Sequence, residues 1–293
     1  MPIFPEKLPI FAPAKVNLHL AVKNRRPDGF HDIDSVFLAV NFGDTLYFDV
    51  IEGKNTVEIA MEGLNPPLPM EKNIIFKAVS LFREKTGFSR GLKIKVEKRI
   101  PLGGGLGGGS SDAAATLLAL NKIAGFPCRR EDLLEMAACL GSDVPFFIYE
   151  TSAARVTGRG ERIVPIDAPM LFLVIISPGF SSDTSAAYKL LDENRIYRPS
   201  NDELSEILKE GMFNEKVYSH FSNDFLGVFP EPEKSVYNEI IAKLLELGAR
   251  YANLSGSGSA CFGVFADREQ TQKATDILRG KWLFVRDCST TLK

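Results

Sequence analysis

Residues 101–114 of this 293-residue chain read PLGGGLGGGSSDAA, and this stretch decides how the rest of the sequence is interpreted. Six of the seven positions 103–109 are glycine, and an alanine-rich segment of helical character follows them. Glycine lets consecutive backbone N–H groups turn towards one anion, and a helix N-terminus carries roughly half a positive charge. The stretch therefore predicts a phosphate-binding loop that leads into a helix, with Ser110, Ser111 and Asp112 placed to cap it.

Other kinds of glycine-rich segment are the alternatives. A flexible linker is rich in glycine and serine, but it is not followed directly by a helix start. The Walker pattern GxxxxGK[ST] and the protein-kinase signatures are absent. A literal GxGxxG at Gly103, Gly105 and Gly108 leaves a dinucleotide-binding fold open, although its first strand is normally apolar on both faces. The alternation in residues 93–97, KIKVE, instead predicts a half-exposed antiparallel strand.

The overall composition is that of an ordinary globular protein. Lys+Arg 35 against Asp+Glu 37 gives no basic surplus for binding nucleic acid or an anionic membrane. No apolar run approaches the length of a membrane span, and residues 1–7 do not resemble the start of a secretory leader, so we expect a cytoplasmic protein. The four cysteines form no CxxC pair, which predicts that there is no dedicated metal site. The oligomeric state has no signal in the sequence.

The spacing of apolar residues predicts alternating strands and helices along the whole chain. Strands are predicted at 14–22, 33–40, 45–50, 57–61, 92–98, 153–157, 171–176, 251–254, 260–265 and 282–286. Helices are predicted at 73–85, 111–124, 131–140, 184–192, 202–211, 232–247 and 268–278. In the first strand, Lys15, Asn17 and His19 share one face, which predicts a strand buried on its apolar side only.

Three segments resemble the three motifs of the GHMP kinases, a family of ATP-dependent small-molecule kinases. Residues 12–18, APAKVNL, are similar to the N-terminal motif, the stretch 101–114 to the second, and residues 254–262, LSGSGSACF, to the third. The resemblance covers nearly the whole chain. It implies an α+β GHMP-kinase fold, with an N-terminal α/β domain at 1–165 that carries the glycine-rich phosphate loop and a C-terminal ferredoxin-like domain at 166–293.

Three further segments resemble one branch of that family. They are RRPDGFH at 25–31, LGSDVPFF at 140–147 and FSND at 221–224. The branch phosphorylates the C2 hydroxyl of 4-diphosphocytidyl-2-C-methyl-D-erythritol with ATP, in the non-mevalonate route to isoprenoids, and the resemblance implies this activity here. The alternatives are another GHMP enzyme, such as homoserine kinase, and a non-catalytic nucleotide-binding regulator on the same fold.

The resemblance also implies roles for single residues. Lys15 and Asp143 take the catalytic positions, where Asp143 accepts or directs the hydroxyl proton and Lys15 contacts the reacting centre. The implied ATP-binding residues are Pro101, Leu102, Gly103, Gly104, Gly105, Leu106, Gly107, Gly108, Gly109, Ser110 and Ser111, with Asn73 and Lys98 at the adenine. The implied substrate-binding residues are Asn17, Phe30, His31, Thr184, Tyr188, Gly256, Ser257 and Gly258. Mg²⁺ is expected with ATP because it neutralises phosphate oxygens.

Cytidine recognition is implied for three of these residues. Phe30 stacks on the base and His31 reads its edge, while Tyr188 is the second wall or, alternatively, an aromatic packed on its helix. Phe30 replaces the tyrosine that is usual in the branch, so stacking is retained and a hydroxyl hydrogen bond is lost. No motif includes His19, which is interpreted as structural.

Overall fold

The computed structural model describes residues 8–63, 69–194, 202–209 and 215–291. Its strands are β1 (Leu8–Arg25), β2 (His31–Lys54), β3 (Val57–Glu62), β4 (Arg90–Glu97), β5 (Ala153–Gly158), β6 (Arg162–Pro165), β7 (Phe172–Ser177), β8 (Tyr251–Leu254), β9 (Cys261–Phe265) and β10 (Phe284–Ser289). Its helices are α1 (Ile74–Thr86), α2 (Gly108–Ile123), α3 (Arg130–Leu140), α4 (Val144–Ile148), α5 (Thr184–Asn194), α6 (Asp202–Lys209), α7 (Glu215–Tyr218), α8 (Glu233–Glu246) and α9 (Arg268–Leu278). The predicted α+β class is confirmed.

Most predicted elements are present, and the differences have local causes. The strands predicted at 33–40 and 45–50 are one continuous strand, β2. The short elements β6, α4 and α7 were not predicted, because four or five residues carry too little periodicity. The predicted end of the helix 202–211 lies outside the described residues. No helix in the described ranges has the length and apolar character needed to cross a bilayer.

The chain divides into two compact units. The first comprises Met1–Ala14, Gly43–Ile100 and Gly107–Glu150. The second comprises Lys15–Phe42, Pro101–Leu106 and Thr151–Lys293. The predicted domain boundary between residues 165 and 166 stays a prediction.

In the first unit, β4 lies between two strands of opposite direction, antiparallel to β2 and parallel to β3. Leu92, Ile94 and Val96 are fully buried along one face of β4, while Lys93 is exposed on the other. The predicted half-exposed strand and its antiparallel neighbour are thereby confirmed, and this context does not suit a dinucleotide-binding fold. Helices α1, α2, α3 and α4 pack against one another in the same unit.

Gly43 lies in β2 at a point where this strand comes very close to β1. A Cβ atom on Gly43 would overlap the carbonyl oxygen of Ala12 and would lie 2.8 Å from the Cα of Pro13. Only glycine therefore allows the backbone of β2 to approach β1 this closely.

We expect Gly43→Ala to lower the free energy of unfolding by about 1–3 kcal/mol, because the added methyl group overpacks a backbone contact. Urea unfolding measures this change. The matched control is Gly227→Ala, where no heavy atom lies within 4 Å of the added Cβ, and it should stay within about 0.5 kcal/mol of the wild type. Equal destabilisation of the two variants would contradict the steric explanation.

In the second unit, four antiparallel strands form a sheet in the order β10-β7-β9-β8. The central strand β7 is buried on both faces, since Leu173, Val174, Ile175 and Ile176 are all fully buried. Helix α8 packs on β8 and β9, and α9 packs on β7 and β10. The N-terminal half of β2 pairs with β5, which pairs in turn with β6.

The polar face of β1 is buried, so the predicted half-exposed strand is wrong. Lys15, Asn17 and His19 are only 3%, 2% and 3% exposed. Each polar group has a partner inside the second unit, which makes its burial tolerable. Asn17 Nδ2 donates to Ser35 Oγ at 3.0 Å, and the backbone N–H of Ser222 donates to His19 Nδ1 at 3.0 Å.

Burial lowers the pKa of His19 from 6.5 to about 4. The nearby Asp34 carboxylate opposes this shift, while the cations of Lys23 and Arg155 add to it. His19 is therefore a neutral imidazole at pH 7, as its role as an acceptor through Nδ1 requires.

The lowered pKa predicts a loss of stability in acid. Between pH 6.5 and pH 4 the unfolded chain binds a proton at His19 and the folded chain does not, so the free energy of unfolding falls by roughly 3 kcal/mol as the pH drops. His19→Asn keeps an acceptor but does not titrate, so its urea-unfolding stability should decline less steeply across this window. Parallel curves for His19→Asn and the wild type would contradict the prediction.

Candidate active site

The segment Pro101–Leu106 is anchored in the second unit through its carbonyl oxygens. Gly103 O accepts the backbone N–H of Ser259 at 3.1 Å, and Gly104 O accepts that of Ala260 at 3.1 Å. The second and third motifs of the sequence are therefore hydrogen-bonded to each other, backbone to backbone.

Lys15, from the first motif, joins the same assembly. Its Nζ donates to Gly105 O at 2.9 Å and to Asn17 Oδ1 at 2.6 Å, and it lies 4.8 Å from the centroid of the Phe37 ring. Its backbone N–H donates to Leu106 O at 2.9 Å. Lys15 is thus a buried cation held against the glycine loop, and not a solvated surface lysine.

The turn at residues 255–259 packs directly on this loop. Ser255 Oγ donates to Gly105 O at 3.0 Å, and the backbone N–H of Asn17 donates to Ser255 Oγ at 3.3 Å. Gly105 has φ +69°, and a Cβ on it would overlap the carbonyl oxygen of Ser255. A Cβ on Gly256 would lie 3.2 Å from Gly105 Cα. The fold itself therefore requires glycine at position 105.

Two other glycines in the sequence 103–109 are not required by the packing of the protein. A Cβ on Gly104 would have its nearest neighbour at 3.5 Å, and one on Gly109 would meet only Ile74 at 3.8 Å, both ordinary contacts. Neither residue has a positive φ. Glycine at these positions leaves space for a ligand to approach the backbone.

Helix α2 begins at Gly108, three residues before its predicted start. The expected capping role of Ser110, Ser111 and Asp112 is wrong, because all three lie inside the helix and no side chain within the described residues caps it. The first N–H groups of a helix have no intrahelical acceptor, so this N-terminus is suited to an anion. Ser111 Oγ is buried there without a hydrogen-bond partner among the described residues.

Lys98 lies in a buried ionic cluster of the first unit. Its Nζ is 2.5 Å from Asp44 Oδ2 and 2.7 Å from Asp112 Oδ2. Asp44 Oδ1 also accepts the backbone N–H groups of Arg99 and Ile100. Burial raises the pKa of Asp112 well above its usual value, and the Lys98 cation opposes that shift. The cluster ties the chain before the glycine loop to the start of α2, and adenine binding by Lys98 stays a prediction.

Asn73 and Asp143 both lie at helix starts in the first unit. Asn73 caps α1, since its Oδ1 accepts the backbone N–H of Ile75 at 2.9 Å. Asp143 is half-buried at the position before α4, and Pro145 stands in the first turn of that helix. Proline is favoured in the first turn of a helix, because its missing N–H would have no intrahelical acceptor there. The ATP-binding role of Asn73 and the catalytic role of Asp143 stay predictions.

His31 and Tyr188 are brought together in the second unit. Their rings are stacked, with centroids 5.1 Å apart and an interplanar angle of 23°. Tyr188 also meets Phe225 edge-on at 4.9 Å, and His31 Nε2 lies 2.7 Å from Asp192 Oδ1. Asp192 was not predicted, because a carboxylate on an amphipathic helix has no sequence signal that separates it from a solvated one.

The remaining predicted substrate residues also lie in the second unit. The Phe30 ring is 50% exposed, and the guanidinium of Arg159 lies 5.0 Å from its centroid. Thr184 Oγ1 and Ser257 Oγ are 3.0 Å apart and share a hydrogen bond. Gly258, two residues after Gly256, has φ +86°. The structure therefore joins Thr184 to the Gly/Ser turn.

Two domain families match the chain. The GHMP kinases N terminal domain matches residues 73–151, and the GHMP kinases C terminal domain matches residues 196–282. Together these matches include more than half of the sequence.

Individual proteins are similar over almost the full length. A protein of Thermodesulfovibrio yellowstonii named 4-diphosphocytidyl-2-C-methyl-D-erythritol kinase is 36% identical over 276 residues, which is 92% of this chain and 93% of the relative. A crystal structure of 4-(cytidine 5'-diphospho)-2C-methyl-D-erythritol kinase shares 32% identity and a TM-score of 0.79, covering 98% of this chain and 100% of the other. Homoserine kinase from Cytophaga hutchinsonii shares the fold, with 21% identity and a TM-score of 0.72 over 100% of this chain and 96% of the other. With domain matches and full-length relatives in agreement, this chain belongs to the GHMP kinases.

Proposed function

We propose that the protein transfers the γ-phosphoryl group of ATP to the C2 hydroxyl of 4-diphosphocytidyl-2-C-methyl-D-erythritol, in the non-mevalonate route of isoprenoid biosynthesis. The observation that carries the reaction class is the buried ammonium group of Lys15 held against the glycine loop. The similarity to a relative of that name, 36% over 276 residues, supports the choice of acceptor.

The chemistry needs positioned charge more than covalent steps. We assign the triphosphate to residues 101–111, where glycine leaves the backbone accessible and the start of α2 offers uncapped N–H groups. In this proposal Lys15 neutralises charge on the transferred group, and Asp143 accepts or directs the proton of the attacking hydroxyl. Asn73 and Lys98 are proposed for the adenine end.

The nucleotide substrate is proposed to be MgATP. Mg²⁺ usually keeps several waters and takes phosphate oxygens with only one or two protein carboxylates. Among the described residues, no group of three or more His, Cys, Asp or Glu side chains is arranged to hold a metal. The hydroxyl of Ser111, buried without a hydrogen-bond partner in the part of the chain that the structure describes, is a further oxygen at the start of α2.

The cytidine substrate is assigned to the second unit. Phe30 and Tyr188 are proposed to stack on the base, and His31 to read its edge. The Thr184 hydroxyl and the turn 256–258 are proposed for the diphosphate, and Asn17 for the sugar alcohol. We propose that this small molecule is the phosphoryl acceptor. We expect the reaction to take place in the cytoplasm, where ATP is available.

An assay with two acceptors tests the proposal. Purified protein with MgATP is offered either the cytidine substrate or homoserine, and the phosphorylated products are identified by ³¹P NMR. We expect the 2-phosphate of the cytidine substrate and no phosphohomoserine. Transfer to homoserine alone would overturn the assignment of the acceptor, and ATP binding without transfer to either would overturn the assignment of an enzyme.

Asp143→Asn should lower kcat by about 10²- to 10⁴-fold, because the variant keeps the shape of the side chain but loses the proton acceptor. The dissociation constant for ATP, measured by calorimetry, should change less than about threefold, since the carboxylate is not needed to hold the nucleotide. Glu135→Gln, an exposed carboxylate on α3, is the control and should retain wild-type kcat. A kcat of Asp143→Asn close to that of the control would contradict the role.

Phe30→Ala should raise the KM for the cytidine substrate by roughly 5- to 100-fold, since stacking contributes about 1–3 kcal/mol per base. The KM for ATP should remain within about threefold, because the nucleotide is assigned to other residues. Phe126→Ala removes another exposed aromatic ring, 68% exposed, and should leave both KM values unchanged. If Phe30→Ala behaves like this control, the base does not stack on Phe30.

A further inference from the structure

The FSND segment, residues 221–224, is hydrogen-bonded to strand β1 inside the second unit. The backbone N–H of Leu20 donates to Ser222 O at 2.7 Å, and that of Val22 donates to Asp224 Oδ2 at 2.9 Å. In the other direction, the Ser222 N–H donates a hydrogen bond to His19 Nδ1. The segment is therefore fixed to the strand that also carries Lys15.

Asn223, the third residue of the FSND segment, connects this strand to the Gly/Ser turn. Its side chain is nearly buried, at 7% exposure. Nδ2 donates to Leu254 O at 2.9 Å and to Gly256 O at 2.8 Å, and Oδ1 accepts the N–H of Phe225 at 3.0 Å. Both amide hydrogens and the amide oxygen are thus used.

The bond to Gly256 O has a geometric consequence for the next residue. In a trans peptide the C=O and N–H groups point in opposite directions, so an anchored Gly256 O turns the N–H of Ser257 away from Asn223. The Ser257 hydroxyl meets Thr184 at 3.0 Å, and a Cβ on Gly256 would lie 3.4 Å from Asn17 Oδ1. The N–H of Ser257 therefore points away from Asn223, in a turn whose neighbours Thr184 and Asn17 are assigned to the acceptor substrate.

We propose that Asn223 is a positioning residue for phosphoryl transfer, which orients the Gly256–Ser257 peptide so that its N–H binds the diphosphate of the acceptor. This proposal rests on the proposed function for the identity of the ligand. Asn223 does not touch the reacting atoms; it acts through the turn 255–259, which also packs on Gly105.

The chemistry of the site requires an amide at position 223. Two carbonyl oxygens face the same nitrogen, so the side chain must offer two donors, and the N–H of Phe225 needs an acceptor beside them. A carboxylate of the same shape would place an oxygen against two carbonyl oxygens, which is repulsive in a buried site.

Asn223→Asp tests the proposal, with Asn253→Asp as the matched control. Asn253 is also 7% exposed and in the second unit. Its Nδ2 donates to Tyr251 Oη at 2.6 Å and its Oδ1 accepts the N–H of Leu254 at 2.8 Å. These hydrogen bonds stay within β8 and do not involve the carbonyl oxygens of Leu254 and Gly256, which Asn223 binds. Each substitution replaces one buried amide NH₂ donor with a carboxylate, so both variants should lose stability for this common reason.

Hydrogen exchange of the substrate-free protein is the first measurement, at a temperature where both variants are fully folded. The amides of residues 255 and 258–260 donate to backbone oxygens in the structure and report on the turn. In Asn223→Asp they should exchange at least about tenfold faster than in the wild type, and in Asn253→Asp less than about threefold faster. Equal exchange in the two variants, or no change in Asn223→Asp, would overturn the proposal.

Steady-state kinetics are the second measurement. Asn223→Asp should lower kcat/KM for the cytidine substrate by about a hundredfold, the loss expected for a misplacement near 1 Å, and Asn253→Asp by less than about threefold. If Asn223 had only a structural role, kcat/KM would fall in the two variants in parallel with their thermal stability.

If Asn223→Asp does not fold, Asn223→Ser replaces it, because serine keeps one donor. Its losses in hydrogen-exchange protection and in kcat/KM should then be larger than those of Asn253→Asp. If wild-type protein does not phosphorylate the cytidine substrate, the proposed function fails, while the exchange difference still decides the role of Asn223 in the turn.

Discussion

The carbonyl oxygens of the glycine loop must be held by donors from distant parts of the chain, and the rest of the site depends on this constraint. A run of glycines loses more conformational freedom on ordering than any other sequence, so it has no defined shape unless its polar groups are bonded. Lys15 Nζ binds Gly105 O, and the N–H groups of Ser259 and Ala260 bind the two carbonyls before it. Three motifs that lie far apart in sequence are thereby one hydrogen-bonded assembly, in which Asn17 and Ser255 meet across 238 positions.

This arrangement places a cation and several amides in the core of the second unit, where burial is costly unless every group is paired. Lys15 is satisfied by Asn17 and by the loop, Asn17 by Ser35, and the Ser35 hydroxyl by the carbonyl oxygen of His19. The polar side of β1 is consequently as fully buried as its apolar side. In the proposed function, a phosphate group at the loop would meet charge and donors that are already in position, which would lower the reorganisation that catalysis requires.

Local signals predicted the elements that local interactions determine. Strand β8 and helix α9 have the predicted ends, and α9 begins after Asp267, whose side chain caps it. The helix that follows the glycine run was also predictable from the alanine-rich segment after it, while phosphate binding by the run stays a prediction. In contrast, the burial of His19 depends on Ser222, 203 positions away, and alternation within one strand does not reveal such a partner. The sequence pattern of β1 is equally compatible with solvent on its polar side.

The candidate site shows the same division between features that a local sequence motif reveals and features that depend on contacts between distant residues. Residues within motifs were proposed from resemblance, whereas Asp192 beside His31 and Arg159 beside Phe30 lie outside every motif. Asn223 lies within the FSND segment, but the segment gave no sign of its contact with the turn. Their roles follow from contacts between elements far apart in the chain, which only the folded structure supplies.

The most direct test of phosphate binding by the glycine loop is a crystal structure of the protein with a non-hydrolysable ATP analogue and Mg²⁺. Phosphate oxygens should lie within about 3 Å of backbone nitrogens at residues 108–110, at the uncapped start of α2. A triphosphate bound elsewhere, with only water at the first turn of α2, would contradict this assignment.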